Sequence, residues 1–150
     1  MSALTDEWLK FDIQEQVLSF QVEQLKVLPM RILLATHNVE LGLLRAKVLE
    51  SEGHEVEIGI NDQQLLALVE SRGYDLLLVC HSLPEEICEN VAQRFRMLNP
   101  SSQVVGILKQ DWDDDTCGTQ RFDARVSGVS GPSALVATVR NVGRQSAGTA

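Results

Sequence analysis

Two short runs without a polar member, Ile32-Leu33-Leu34-Ala35 and Leu76-Leu77-Leu78-Val79-Cys80, most constrain the fold of this chain. A strand wetted on one face alternates apolar and polar residues. An unbroken apolar run needs cover on both faces, and parallel sheets flanked by helices supply it. The two runs are therefore central strands, and the segments between them are the place to look for covering helices.

Those segments carry helical spacing. Glu40 to Glu52 places Leu41, Leu44 and Val48 on one face and stops at Gly53. Gln63 to Arg72 carries Leu65, Leu66, Leu68 and Val69 and stops at Gly73, and Glu85 to Leu98 points Ile87, Val91 and Leu98 inward before Asn99-Pro100. Glu55-Val56-Glu57-Ile58-Gly59-Ile60 alternates, as a half-exposed strand near a sheet edge does. Val104 to Leu108 and the shorter Arg125-Val126-Ser127 complete five strands, and Pro132 opens a last helix with Leu135, Val139 and Val142 on one face, expected to fray after Gly143. Strands alternating with helices predict an α/β fold: a doubly wound, five-stranded parallel sheet with right-handed crossovers. Residues 109–122 occupy the slot of a fourth covering helix, but their composition favours a loop or a short irregular turn.

Three parts follow: an N-terminal helical extension over 1–29, a domain over 30–143, and a polar tail over 144–150 expected to be disordered. In the extension, Leu4, Trp8 and Phe11 fall at helical spacing, as do Ile13, Val17 and Phe20, and Leu18, Val22 and Leu25; this predicts a helix from about Asp6 to Lys26, ended by Pro29. Its apolar rows are broad enough to dock on its own domain or to form a homodimer, with a weakly ordered extension as the remaining alternative.

Bulk properties exclude some functions. The net charge of −8 opposes nucleic-acid binding and attachment to anionic membranes. No apolar run has the length of a membrane span and no secretory signal is evident. Aromatics are 5 % of residues, so the core must be aliphatic. Cys80, Cys88 and Cys117 form no CxxC pair, and free thiols in a reducing cytoplasm are the expectation.

The order of these features resembles the receiver domain of bacterial two-component response regulators, over roughly Met30 to Gly143. Arg31-Ile32-Leu33-Leu34 resembles the first strand, and Leu49-Glu50-Ser51-Glu52-Gly53-His54-Glu55-Val56 the first helix and its turn into strand two. Gly73-Tyr74-Asp75-Leu76-Leu77-Leu78 with Leu83-Pro84 resembles strand three and its loop, and Asp123-Ala124 through Pro132-Ser133-Ala134-Leu135 the approach to the last helix. The resemblance implies a flavodoxin-like sheet of order 2-1-3-4-5. It also implies a reaction: two adjacent acids hold Mg²⁺, an aspartate ending strand three takes a phosphoryl group, and a hydroxyl and a lysine ending strands four and five read it. Here Thr36 and His37 stand at the acidic pair, Cys80 at the phosphoacceptor, Leu108 (Lys109 if the register slips) at the hydroxyl and Gly128 at the lysine. Magnesium wants hard oxygen ligands with charge, and none of Thr36, His37 and Cys80 is a carboxylate. The resemblance thus implies a pseudo-receiver whose phosphoryl chemistry is missing, with no enzymatic activity and no cofactor.

Other chemistry is thinly supported. Cys80 is expected to pack in the core, with a thiol-redox or small-molecule sensor around Thr36, His37 and Cys80 as the alternative. His37, Cys80 and His81 invite zinc, but consecutive strand-end residues point apart and no fourth ligand is evident, so no metal site is assigned. His54, in the turn before strand two, is expected to be exposed. The acids Asp111, Asp113, Asp114 and Asp115 lack calcium-loop spacing and read as a solvated loop, with Trp112 a candidate aromatic anchor. The expected function is a stand-alone, phosphorylation-independent signalling domain acting on a protein partner, with Trp8, Phe11 and Trp112 as candidate contacts.

Overall fold

The computed structural model describes residues 29–71, 73–108, 116–117 and 119–148. The elements are β1 (Arg31–Ala35), α1 (Val39–Ser51), β2 (Glu55–Gly59), α2 (Asp62–Glu70), β3 (Leu76–Cys80), α3 (Glu85–Leu98), β4 (Gln103–Leu108), β5 (Thr116–Cys117), β6 (Gln120–Arg121), β7 (Ala124–Ser127) and α4 (Pro132–Gly148). Asn38 and Asn61 start α1 and α2 by accepting the amides of Leu41 (3.1 Å) and Gln64 (2.8 Å). Gly53 turns the chain out of α1 at φ 96°, a left-handed conformation that glycine adopts without strain.

The main sheet is parallel with order β2-β1-β3-β4-β7, the expected pattern. Leu33, Ala35, Leu77 and Val79 face one side, under α2 and α3, while Ile32, Leu34, Leu76, Leu78 and Cys80 face the other, under α1 and α4. Two apolar layers therefore sandwich β1 and β3, which explains why Ile32–Ala35 and Leu76–Cys80 admit no polar residue.

Helix α1 lies on the sheet differently from expectation. Its buried residues are Gly42, Ala46 and Leu49, whereas Leu44 is 61 % exposed. Small residues let the helix approach the sheet closely: a Cβ on Gly42 would lie 2.7 Å from Thr36 Cγ2. The row Leu41, Leu44 and Val48 is thereby turned sideways, toward α4. Helix α4 also runs to Gly148, not Gly143, so the tail expected from Arg144 onward continues the helix. An interior glycine weakens a helix but does not stop one, and no proline follows.

The slot between β4 and β7 holds the antiparallel pair β5-β6, and no helix occurs there among the described residues. This pair is fastened to α3. Cys88 and Cys117 form a disulfide, Glu89 accepts the Thr119 amide at 3.1 Å, and Arg96 reaches Gln120, the Arg121 carbonyl and Asp123. The expectation of three free thiols is thus corrected: Cys80 alone is free, which removes the thiol argument for a reducing compartment. No helix of the described residues is long and apolar enough to cross a membrane.

His54 also departs from expectation. It is 6 % exposed and its Nδ1 accepts the Met30 amide at 3.0 Å, tying the start of β1 to the turn before β2. Burial lowers its pKa, Glu52 opposes this and Arg140 adds to it. The folded state then binds this proton less tightly than the unfolded chain does. The stability contributed by neutral His54 is complete above about pH 6.5 and declines as pH falls below that value. The thermal midpoint should therefore drop between about pH 7.5 and 5.5, and His54→Gln should flatten the drop. Equal slopes for the two proteins would refute this role.

Candidate functional site at the carboxyl edge of the sheet

The carboxyl ends of β1, β3, β4 and β7 bring the singled-out positions to one edge. Cys80 pairs with Ile107, Leu108 with Ser127, and the Gly128 amide donates to the Leu108 carbonyl at 2.7 Å. In open α/β sheets this edge is where ligands bind. Thr36, His37, Cys80, Leu108 and Gly128 all lie along this edge, but Leu108 packs in the layer under α2 and α3 and Cys80 in the layer under α1 and α4.

Their chemistry is closed on itself. Thr36 is fully buried; its Oγ1 accepts the Asn38 amide at 3.0 Å and shares a hydrogen bond with Ser82 Oγ at 3.1 Å. Ser82 Oγ also accepts the His37 amide at 2.9 Å, which clamps the loop after β1 to the loop after β3. The His37 ring turns outward, its Nε2 3.3 Å from Asp62 on the first turn of α2. Near this pair lies an open hollow of about 580 Å³ lined by His37, Ile60, Asn61, Asp62 and Gln63.

Cys80 is 2 % exposed, and Arg45 Nη1 donates to its sulfur at 3.2 Å. A Cβ on Gly128 would meet Arg45 Nη2 at 3.2 Å, so the guanidinium occupies the space between the end of β3 and the turn after β7. A positive charge from α1 thus sits beside the Gly128 turn. Sequence reasoning did not find Arg45. The available signal was a cation three residues beyond Gly42 and four before Leu49, on the helix face that packs inward. Burial pushes the Cys80 thiol above its ordinary pKa, and Arg45 and Thr36 only partly oppose the shift. A thiol held protonated and covered is a poor nucleophile and a poor oxidation sensor.

Magnesium does not fit this donor set. Thr36, His37 and Cys80 carry no carboxylate, and among the described residues no group of three or more His, Cys, Asp or Glu is placed to hold a metal ion. Leu108 brings no hydroxyl. Trp8, Phe11, Trp112 and Lys109 lie outside the described residues.

No family model matches the chain, and no curated protein matches it in sequence. Solved structures do. The chain is similar to a CheY-like response regulator receiver domain from Methanospirillum hungatei, at TM-score 0.67 and 20 % identity, covering 82 % of this chain and 100 % of that one. It is similar to the receiver domain of a sensor histidine kinase from Pseudomonas aeruginosa, at TM-score 0.67 and 16 % identity, covering 78 % of this chain and 99 % of that one. That structure has a magnesium ion coordinated in its active-site cleft. A third is NtrX from Brucella abortus in complex with ATP, at TM-score 0.67 and 17 % identity, covering 79 % of this chain. The chain spans about 27 % of the length of that NtrX chain. The shared property is the receiver fold.

Proposed function

We propose that the chain is a degenerate receiver, a pseudo-receiver that acts in signal transduction without phosphorylation, by contact with a protein partner. The observation that carries this reading is the Arg45 guanidinium on Cys80 Sγ at 3.2 Å, at the strand end where a receiver presents its phosphoacceptor. Phosphoryl transfer needs a nucleophilic carboxylate and a cation that offsets the repulsion between donor and acceptor. Here the acceptor position is a protonated thiol, the metal positions are a self-satisfied hydroxyl and an outward imidazole, and the protein's own cation fills the remaining space. The reading assigns no catalytic residue and no cofactor. The partner surface it favours is the 109–128 region with Trp112, where the β5-β6 pair is tethered to α3.

The sensor alternative draws no support from this geometry, because Thr36 and Cys80 are both covered and the thiol is held protonated. Incubation with acetyl phosphate and Mg²⁺ tests the proposal. The protein should keep its unmodified mass, whereas a stoichiometric phosphoryl adduct would overturn it.

A further inference from the structure

The row Leu41, Leu44 and Val48 does not enter the core. Together with Leu135 of α4 and Val126 it lines a groove that includes a cavity of about 140 Å³ between α1 and α4. At the carboxyl edge, next to the lining residue Gly128, Val129 is 66 % exposed. Isolated exposed leucines are ordinary, but a contiguous row beside an apolar groove marks a docking surface.

We infer that the chain's own N-terminal segment, Asp6 to Lys26, docks as a helix in the groove between α1 and α4. Two observations select this occupant. First, the segment joins the domain on the correct side. Met30 is buried in the layer formed with Ala46, Leu49, Val139 and Val142, beneath α1 and α4. Second, the length fits. A 21-residue helix extends about 31 Å, while α1 spans only about 20 Å, so a helix turning back at Pro29 can follow the whole groove. Its far end, with Phe11 and Trp8, then reaches the level of Val129. This inference is independent of the phosphotransfer reading, since the groove lies beside Arg45 and does not use Cys80 chemistry.

The test uses the full chain with Trp112→Phe, leaving Trp8 as the single tryptophan. Acrylamide quenching of Trp8 should be several-fold weaker than in the urea-unfolded chain. Leu44→Asp should raise it toward the unfolded value with the far-ultraviolet circular dichroism of the domain retained, because Leu44 is already largely in water. Val129→Asp should act in the same direction and serves if Leu44→Asp fails to fold. Leu66→Asp, on α2 across the sheet, should change nothing. Sedimentation should show a monomer with concentration-independent quenching. Three results would overturn the inference: full quenching without any groove substitution, indifference to both groove substitutions, or protection that disappears on dilution, which would mean that a second copy fills the groove.

Discussion

Replacing Phe122 by alanine is expected to cost about 3–5 kcal/mol of stability, in the range for deleting a buried aromatic side chain. Phe122 lies between β6 and β7 and is buried in the layer with Val91, Ala92, Phe95 and Val104. Its ring rests on Gly106 in the middle of β4: a Cβ there would sit 2.5 Å from the ring. The missing side chain on the strand and the large ring on the loop are thus two halves of one contact. They cover a sheet face over which, among the described residues, no helix lies between β4 and β7. For a chain of this size the loss corresponds to a fall in thermal midpoint of roughly 6–20 °C. Gly106→Val should destabilise by a separate route, overpacking, at about 1–3 kcal/mol. Chemical denaturation of both variants checks the pair; a Phe122→Ala cost below about 1 kcal/mol would mean that the loop does not cover the sheet in solution.

Reduction of the disulfide is the second large effect. Cys88 and Cys117 are 29 residues apart in sequence. Cross-linking over such a span restricts the unfolded chain and stabilises by about 3–4 kcal/mol on the loop-entropy relation. The remaining tethers between α3 and the hairpin, Glu89 to Thr119 and Arg96 to Asp123, are exposed or partly exposed and compensate little. Dithiothreitol, or Cys88→Ser, should therefore lower the midpoint by roughly 6–16 °C. Cys80→Ser should leave the response to reductant intact, because Cys80 is not in the bond. A midpoint insensitive to reductant would show that the two sulfurs are not joined in solution.

The layering was legible because physics writes it locally. Unbroken apolar runs mark β1 and β3 as doubly covered, and the alternation in Glu55–Ile60 marks β2 as an edge. The convergence of Thr36, Cys80 and Gly128 followed from that order. What escaped depends on contacts between distant segments. Arg45 is 35 residues from Cys80, and nothing local announces that its guanidinium fills the space beside Gly128. The Cys88–Cys117 bond requires α3 and the hairpin to be folded together. The burial of His54 depends on Met30, 24 residues away. The rotation of α1 is a subtler miss. Periodicity found its apolar row, but small residues at Gly42 and Ala46 won the sheet-facing side because they let backbones approach.

On the proposed function, a receiver-shaped scaffold holds a site which neither magnesium nor a phosphoryl group can use. Phosphotransfer from acetyl phosphate in Mg²⁺, run beside a magnesium-binding receiver and read by intact mass, tests it most directly. An adduct is expected on the control and none on this chain, with or without magnesium. A magnesium-dependent, alkali-labile adduct on this chain would contradict it.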